Sequence, residues 1–213
     1  MEPRVIDDFL PPPLAQSIYQ LLEGPEIKWQ FGKTSVEYLT SEPFFNTDVE
    51  TKDSLQFRHT FMRSNEIVSD FYKYITPVVE FYEMHTSSKI SYTQRIKANM
   101  LFNHEGIKPQ LPHTDAMEIK ERAISGKIWP GRTTLLYYVN NSDGDTIFYN
   151  ERFTGQPIGK LTEQMRVSPK KNRAVIFDSS QLHSACKPTN KNYRIVLNCI
   201  FGGEPVEGVT ADY

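Results

Sequence analysis

The chain has 213 residues, 38% of them hydrophobic and 12% aromatic, which is enough apolar material to fill the core of one domain of typical to large size. A net charge of −2 argues against a surface that binds polyanions indiscriminately, and no apolar run approaches membrane-spanning length. The first residues include Glu2, Arg4, Asp7 and Asp8 and lack the apolar stretch of a signal peptide, so a single cytoplasmic domain over residues 1–213 is expected, as a monomer or weak dimer.

In chain order, residues 5–11 (VIDDFLP) read as an opening strand and turn. Pro12 then leads a helix to about Glu23, with Leu14, Ile18 and Leu21/Leu22 as its apolar stripe and Gly24-Pro25 as its stop. Residues 28–57 alternate polar and aromatic side chains with no dependable period, as irregular strand or a substrate-side loop would. A second helix is expected over residues 65–82, where Ile67, Phe71, Ile75 and Val78/Val79 recur at helical spacing and Pro77 predicts a bend. Strands follow at residues 91–102, 132–140, 172–178 and 192–201. That order predicts a mainly β fold, an antiparallel double-sheet jelly roll. Residues 1–90 would supply N-terminal strand and helix support, and residues 91–202 the catalytic core. The connection over residues 116–131 is too long for a hairpin and is expected to overhang whatever site follows Asp115. Trp129 on it would contact substrate or pack beneath its own loop.

Three segments carry chemistry. His113-Thr114-Asp115 places a His and a carboxylate two positions apart on an extended segment, so both reach the same side. A His-x-Asp triplet alone is a weak motif. His183, flanked by strands, would complete a 2-His-1-carboxylate face that leaves about three octahedral positions open, the arrangement suited to non-haem Fe(II). Arg194 lies on a strand whose two faces, Arg194/Val196/Asn198/Ile200 and Ile195/Leu197/Cys199/Phe201, are both largely apolar. A guanidinium buried there needs an anion. Either an internal acid pairs with it, or it clamps a carboxylate ligand, which its planar fork suits. Asn198 shares that face and could hydrogen-bond ligands or water near a metal.

These residues resemble the Fe(II)/2-oxoglutarate-dependent dioxygenases, the prolyl 4-hydroxylase-like branch in particular. The likeness rests on the order His113-x-Asp115, His183, Arg194, on Tyr137-Tyr138-Val139-Asn140, on Gly144-Asp145-Thr146-Ile147-Phe148 and on residues 169–178 (PKKNRAVIFD). Residues 5–11 look like the opening strand and turn of such enzymes, and R-I-K-A-N followed by H-T-D resembles compact members found in phage. The match is strong over about residues 90–202 and absent over 28–64. Asp145 departs from the family's second Gly.

The resemblance implies a double-stranded β-helix of the cupin-like kind. It implies Fe(II) on His113, Asp115 and His183, with 2-oxoglutarate and O2 as co-substrates and ascorbate as a reductant. Arg194 would bind the distal carboxylate of 2-oxoglutarate with Tyr138, and Asn99 would touch the co-substrate near the metal. The expected reaction is hydroxylation of a prolyl residue in a peptide or protein, with release of succinate and CO2. A nucleic-acid demethylase or small-molecule hydroxylase would share this chemistry. Asp115 fills the position that related halogenases vacate for halide, which favours hydroxylation or demethylation.

From other classes, a zinc or other metal-dependent hydrolase fits two His and an Asp but has no use for Arg194, and a non-catalytic cupin-like module would bind metal or sugar. Lys170, Lys171, Arg173, Lys187 and Lys191 read as solvated loop residues, so nucleic acid is not indicated by charge. His59, His85 and His104 have no spacing that makes them ligands. Cys186 and Cys199 show neither a disulfide framework nor a zinc pattern.

Overall fold

The computed structural model describes residues 2–32, 55–103, 109–110, 112–115, 132–152 and 160–202. The expectations for loop 116–131, Trp129 and His104, and for most of residues 28–57, lie outside the described residues. The element order is β1 (Arg4–Ile6), α1 (Pro12–Glu23), β2 (Gln30–Gly32), β3 (Gln56–Arg63), β4 (Glu66–Ile67), α2 (Tyr72–Thr86), β5 (Tyr92–Phe102), β6 (Thr133–Tyr138), β7 (Thr146–Arg152), β8 (Glu163–Val167), β9 (Arg173–Asp178), β10 (Gln181–Ala185) and β11 (Tyr193–Gly202). No described helix is long and apolar enough to cross a membrane.

The strands form two antiparallel sheets. The larger runs β1-β9-β6-β11-β5-β3-β2, with β4 paired to β3, and the smaller runs β10-β7-β8. Period-two alternation gives the larger sheet two apolar faces with different partners. Leu135, Tyr137, Ala174, Ile176, Ile195 and Leu197 point outward, into a core shared with Ile18 and Leu22 of α1 and Ile75 and Val78 of α2. Leu136, Tyr138, Val175, Phe177 and Val196 point inward and pack on Phe148 and Val167 of the smaller sheet. A strand buried on both faces reads as a near-continuous apolar run, and β6, β9 and β11 all do. The result is the expected jelly roll, with helices buttressing its outer face.

α1 has the bounds its sequence predicts. α2 starts at Tyr72 rather than near residue 65, because Ser64 (φ 51°) and Asn65 (φ 62°) turn the chain back in a two-residue hairpin and Glu66 pairs with Arg63. Asn65 tolerates the left-handed conformation, and its Oδ1 accepts the Thr93 amide at 2.7 Å. The apolar residues at helical spacing in this stretch therefore include Ile67, which belongs to a hairpin. Pro77 sits inside α2 and cannot donate to the Lys73 carbonyl, which accepts the Thr76 hydroxyl at 3.1 Å instead. Asn172 pins the N-terminal segment to the sheet: its Nδ2 donates to the Leu10 carbonyl at 2.8 Å and its Oδ1 accepts the Leu10 amide at 2.9 Å.

Asp143, between β6 and β7, organises the approach to β11. Its carboxylate accepts the Thr189 amide and hydroxyl and the Asn190 and Lys191 amides at 2.6–3.2 Å. Burial alone would raise its pKa, but these donors hold it at about 2 against an ordinary 3.8. A depressed carboxylate stabilises the fold above its unfolded value, and that stabilisation fades as pH falls from about 4 toward 2. Urea titration of Asp143→Asn should thus show a loss of about 1–2 kcal/mol at neutral pH that shrinks as the pH approaches 2. A loss independent of pH would contradict this role for the charge.

Candidate metal centre

His113, Asp115 and His183 each offer one ligand atom, and these atoms lie within 4.8 Å of one another. His183 sits on β10. His113 pairs with it across an isolated antiparallel bridge, with backbone hydrogen bonds of 2.9 and 3.0 Å in both directions, so the smaller sheet itself brings the two rings side by side. Their centroids are 4.4 Å apart. Asp115, two residues on, returns to the same side, with its Oδ2 3.7 Å from His183 Nε2. The Nδ1 of His183 donates to the Gln181 carbonyl at 3.0 Å, which turns Nε2 toward Asp115. Phe148 and Phe177 pack around the same ring.

Asp115 is buried, which by itself would raise its pKa. The His183 and His113 imidazoles, the Arg95 guanidinium and a hydrogen bond from Asn198 outweigh burial and hold it at about 2. It is therefore a carboxylate at any physiological pH. Asn198 Nδ2 donates to Oδ2 at 3.0 Å, and Arg95 Nη2 stands 3.9 Å from Oδ1. Both come from the larger sheet, Asn198 from β11 and Arg95 from β5, so the ligand on the loop is oriented by the opposing wall.

Arg194 is 3% exposed on the inward face of β11. Its Nη2 donates to Thr146 Oγ1 at 2.8 Å, and the Tyr138 hydroxyl donates to the same oxygen at 2.7 Å. The guanidinium also lies 5.5 Å from the centroid of the Tyr138 ring. Burial lowers the Arg194 pKa and raises that of Tyr138. No carboxylate forms an ion pair with Arg194 among the described residues, and its Nε is buried without a hydrogen-bond partner. Asn99 Oδ1 and Asn198 Oδ1 are likewise buried and unpartnered. Asn99 stands opposite Val196 in the β5–β11 register, on the inward face.

The structure thus brings His113, Asp115, His183 and Asn198 into one cluster and Arg194 and Tyr138 into a second, with Asn99 on the wall between them. Arg166 Nη1 donates to Cys186 Sγ at 3.8 Å, and burial raises the Cys186 pKa. His59 is held by the Lys28 carbonyl and Ser69, and His85 stacks on Phe9, so neither approaches the triad. Two members escape the sequence reading. Thr146 is the oxygen on which Arg194 and Tyr138 converge, and its only signal is its place at the start of the strand after Gly144-Asp145. Arg95 looks like an ordinary strand charge until β5 is seen to border the ligands.

The residues fit an Fe(II) centre with a keto-acid co-substrate. The donor set is two imidazoles and a carboxylate, and the orphaned guanidinium nearby calls for an anion.

Residues 100–202, which include the triad and Arg194, match the family model described as the 2OG-Fe(II) oxygenase superfamily. No curated protein matches the chain. Among solved structures, a 2OG-Fe(II) oxygenase family oxidoreductase from Burkholderia pseudomallei is similar at 9% identity and a TM-score of 0.60, over 94% of this chain and 84% of that one. A prolyl hydroxylase from Trichoplax adhaerens, in complex with a hypoxia inducible factor oxygen degradation domain peptide fragment, is similar at 15% identity and a TM-score of 0.57, over 95% of this chain and 84% of that one. The alpha-ketoglutarate-dependent epimerase SnoN from nogalamycin biosynthesis is similar at 11% identity and a TM-score of 0.57, over 93% of this chain and 76% of that one. The protein is a 2-oxoglutarate/Fe(II)-dependent dioxygenase, and its cofactor and co-substrates are Fe(II), 2-oxoglutarate and O2.

Asn198→Ala removes the amide that orients Asp115 and should weaken Fe(II) binding about tenfold or more, as loss of a ligand-orienting partner typically does. Equilibrium titration of Fe(II) under anaerobic conditions measures this. Unchanged affinity would show that Asn198 does not set the ligand's position.

Proposed function

We propose that this dioxygenase hydroxylates a prolyl residue in a peptide or protein substrate, releasing succinate and CO2. In this reading His113, Asp115 and His183 hold the iron, and Arg194 holds the distal carboxylate of 2-oxoglutarate beside Tyr138, Thr146, Asn99 and Asn198. The catalytic core is residues 91–202, supported by residues 1–90. The observation that carries the reading is Arg194, a buried guanidinium with hydrogen-bonding neighbours but no ion-paired carboxylate among the described residues, Asp145 acting on it only at longer range. A dicarboxylic keto acid supplies the missing charge.

When bound, Fe(II), 2-oxoglutarate and O2 supply the oxidising equivalents for C–H hydroxylation. The chain's own work is positioning and electrostatics. Asp115 enters as an ionised ligand, held at about 2 by the imidazoles, Arg95 and Asn198 despite its burial. The Gln181 carbonyl accepts from His183 Nδ1 at 3.0 Å and fixes the ring's orientation, so Nε2 is the nitrogen that faces the site. Phe148 and Phe177 pack on the His183 ring and keep water from that side of the centre. Asp115 also fills the coordination position a halide would need, which supports hydroxylation over halogenation.

The substrate assignment rests on the strand Tyr137-Tyr138-Val139-Asn140 and the residues leading to His183, which resemble prolyl hydroxylases. The fold's likeness to a peptide-bound prolyl hydroxylase also supports it. The net charge of −2 weighs against a nucleic-acid substrate. Small-molecule chemistry is the second reading, supported by the likeness to an epimerase of nogalamycin biosynthesis. Ascorbate would serve as the reductant that keeps the iron ferrous.

Proline-rich peptides incubated with enzyme, Fe(II), 2-oxoglutarate and ascorbate should gain the mass of one oxygen atom on proline, and Asp115→Ala should abolish the gain. Succinate release without peptide oxidation, together with oxidation or demethylation of methylated oligonucleotides, would overturn the prolyl assignment while leaving the oxygenase chemistry in place.

A further inference from the structure

The inward face of the larger sheet continues past the metal ligands on the side away from Arg194. Along β11, Arg194 is followed on that face by Asn198, which holds Asp115, and then by Ile200, whose partner on β5 is Arg95. In the proposed function, on which this inference rests, the co-substrate spans from Arg194 to the ligands. The Arg95 end is then where a primary substrate meets the metal.

Arg95 is only loosely paired there. Its side chain is 25% exposed, and its ion pair with Asp115 Oδ1 spans 3.9 Å, too long for a hydrogen bond. Its Nε is buried with no acceptor. The residue opposite it on β3 is Arg63, and the adjacent pair, Met62 and Ile96, both point into the helix-side core, which puts both arginines on the inward face. Like charges directly opposed across two strands repel. On its other side Arg63 is opposite Glu66, but no ion pair joins them among the described residues. Arg58 and Lys97, on the same face, already have interaction partners.

We infer that Arg95 and Arg63 form a carboxylate-reading subsite for the primary substrate, so the target proline lies close to an Asp or Glu of the same peptide. Two arginines directly opposed across neighbouring strands, with Cβ atoms about 5 Å apart and Arg63 exposed, can turn their guanidinia to the two oxygens of one carboxylate. A carboxylate there also relieves the repulsion between the arginines and satisfies the buried Nε. A nucleic-acid backbone would need a longer track of available cations, and this face offers one such pair on a chain of net charge −2.

Fluorescence anisotropy tests this on the Fe(II)- and 2-oxoglutarate-loaded enzyme under anaerobic conditions, with labelled proline peptides that differ only in Asp or Asn beside the proline. The Asp peptide should bind about tenfold tighter than its Asn twin, the scale of one hydrogen bond to a charged group, and the difference should shrink with salt. Arg95→Gln should abolish the preference. Arg63→Gln, one strand further from Asp115, should reduce it and keeps the test open if Arg95→Gln loads iron poorly. Equal binding of the twins to the native enzyme overturns the subsite. So does tighter binding of a single-stranded oligonucleotide with the same dependence on Arg95. If the Asp peptide binds preferentially but no proline is oxidised, the subsite stands and the prolyl reading falls.

Discussion

Burying a guanidinium costs several kcal/mol unless charge and hydrogen bonds replace the water it loses. Arg194 sits in a strand whose neighbours on both faces are largely apolar, and the described residues give it a hydroxyl, an aromatic face and the longer-range charge of Asp145, but no ion-paired carboxylate. Thr146 and Tyr138 offer dipoles, which orient the fork but do not neutralise it. In the proposed function an anion completes this pocket, and the surroundings fit that need. β7 must run close enough to offer Thr146. Gly144 lets it do so, because a Cβ there would lie 2.6 Å from the Cys186 carbonyl oxygen and 2.9 Å from the Pro188 nitrogen. Asp143, one residue earlier, grips the turn that leads into β11 and so fixes where Arg194 begins.

The metal ligands obey a different constraint. His113 is joined to His183 of the smaller sheet by an isolated backbone bridge, which brings their rings together. Asp115 has left the strand, and it is steered by side chains of the opposing sheet, Asn198 and Arg95. In the proposed function one wall supplies the iron's ligands, and the other orients the acid and clamps the anion. The inward face of β11 links these tasks, with Arg194 and Asn198 four residues apart, about 13 Å along a strand. That spacing leaves room for a short dicarboxylic acid between clamp and metal.

Much of this is visible in the sequence because period-two alternation and a His-x-Asp spacing are local properties. The run from Arg194 to Phe201 shows a charged residue where both faces are apolar, and that alone raises the question of its counter-ion. The strands at β5, β6, β9 and β11 and the helix at α1 announce themselves for the same reason. α2 was harder, since Ile67 falls at helical spacing from Phe71 while Ser64 and Asn65 adopt a left-handed turn that periodicity does not register. Thr146 and Arg95 become meaningful only through contacts between residues 48 and 20 positions apart. A hydroxyl at the start of a strand or a charge in the middle of one carries no mark of such a partner. The identity of the primary substrate is faint for a related reason: in the proposed subsite it would depend on the few side chains at the Arg95 end, not on the motif that makes the oxidant.

The central claim is that Arg194 awaits the distal carboxylate of 2-oxoglutarate beside a His113/Asp115/His183 iron site. Anaerobic titration of the Fe(II)-loaded protein with 2-oxoglutarate, followed by visible absorption, tests it most directly. The account predicts a charge-transfer band that saturates in the native protein, disappears in His183→Ala, and in Arg194→Ala needs at least about tenfold more co-substrate to reach half its height. No band in the native protein, or an unchanged half-saturation in Arg194→Ala, would contradict it.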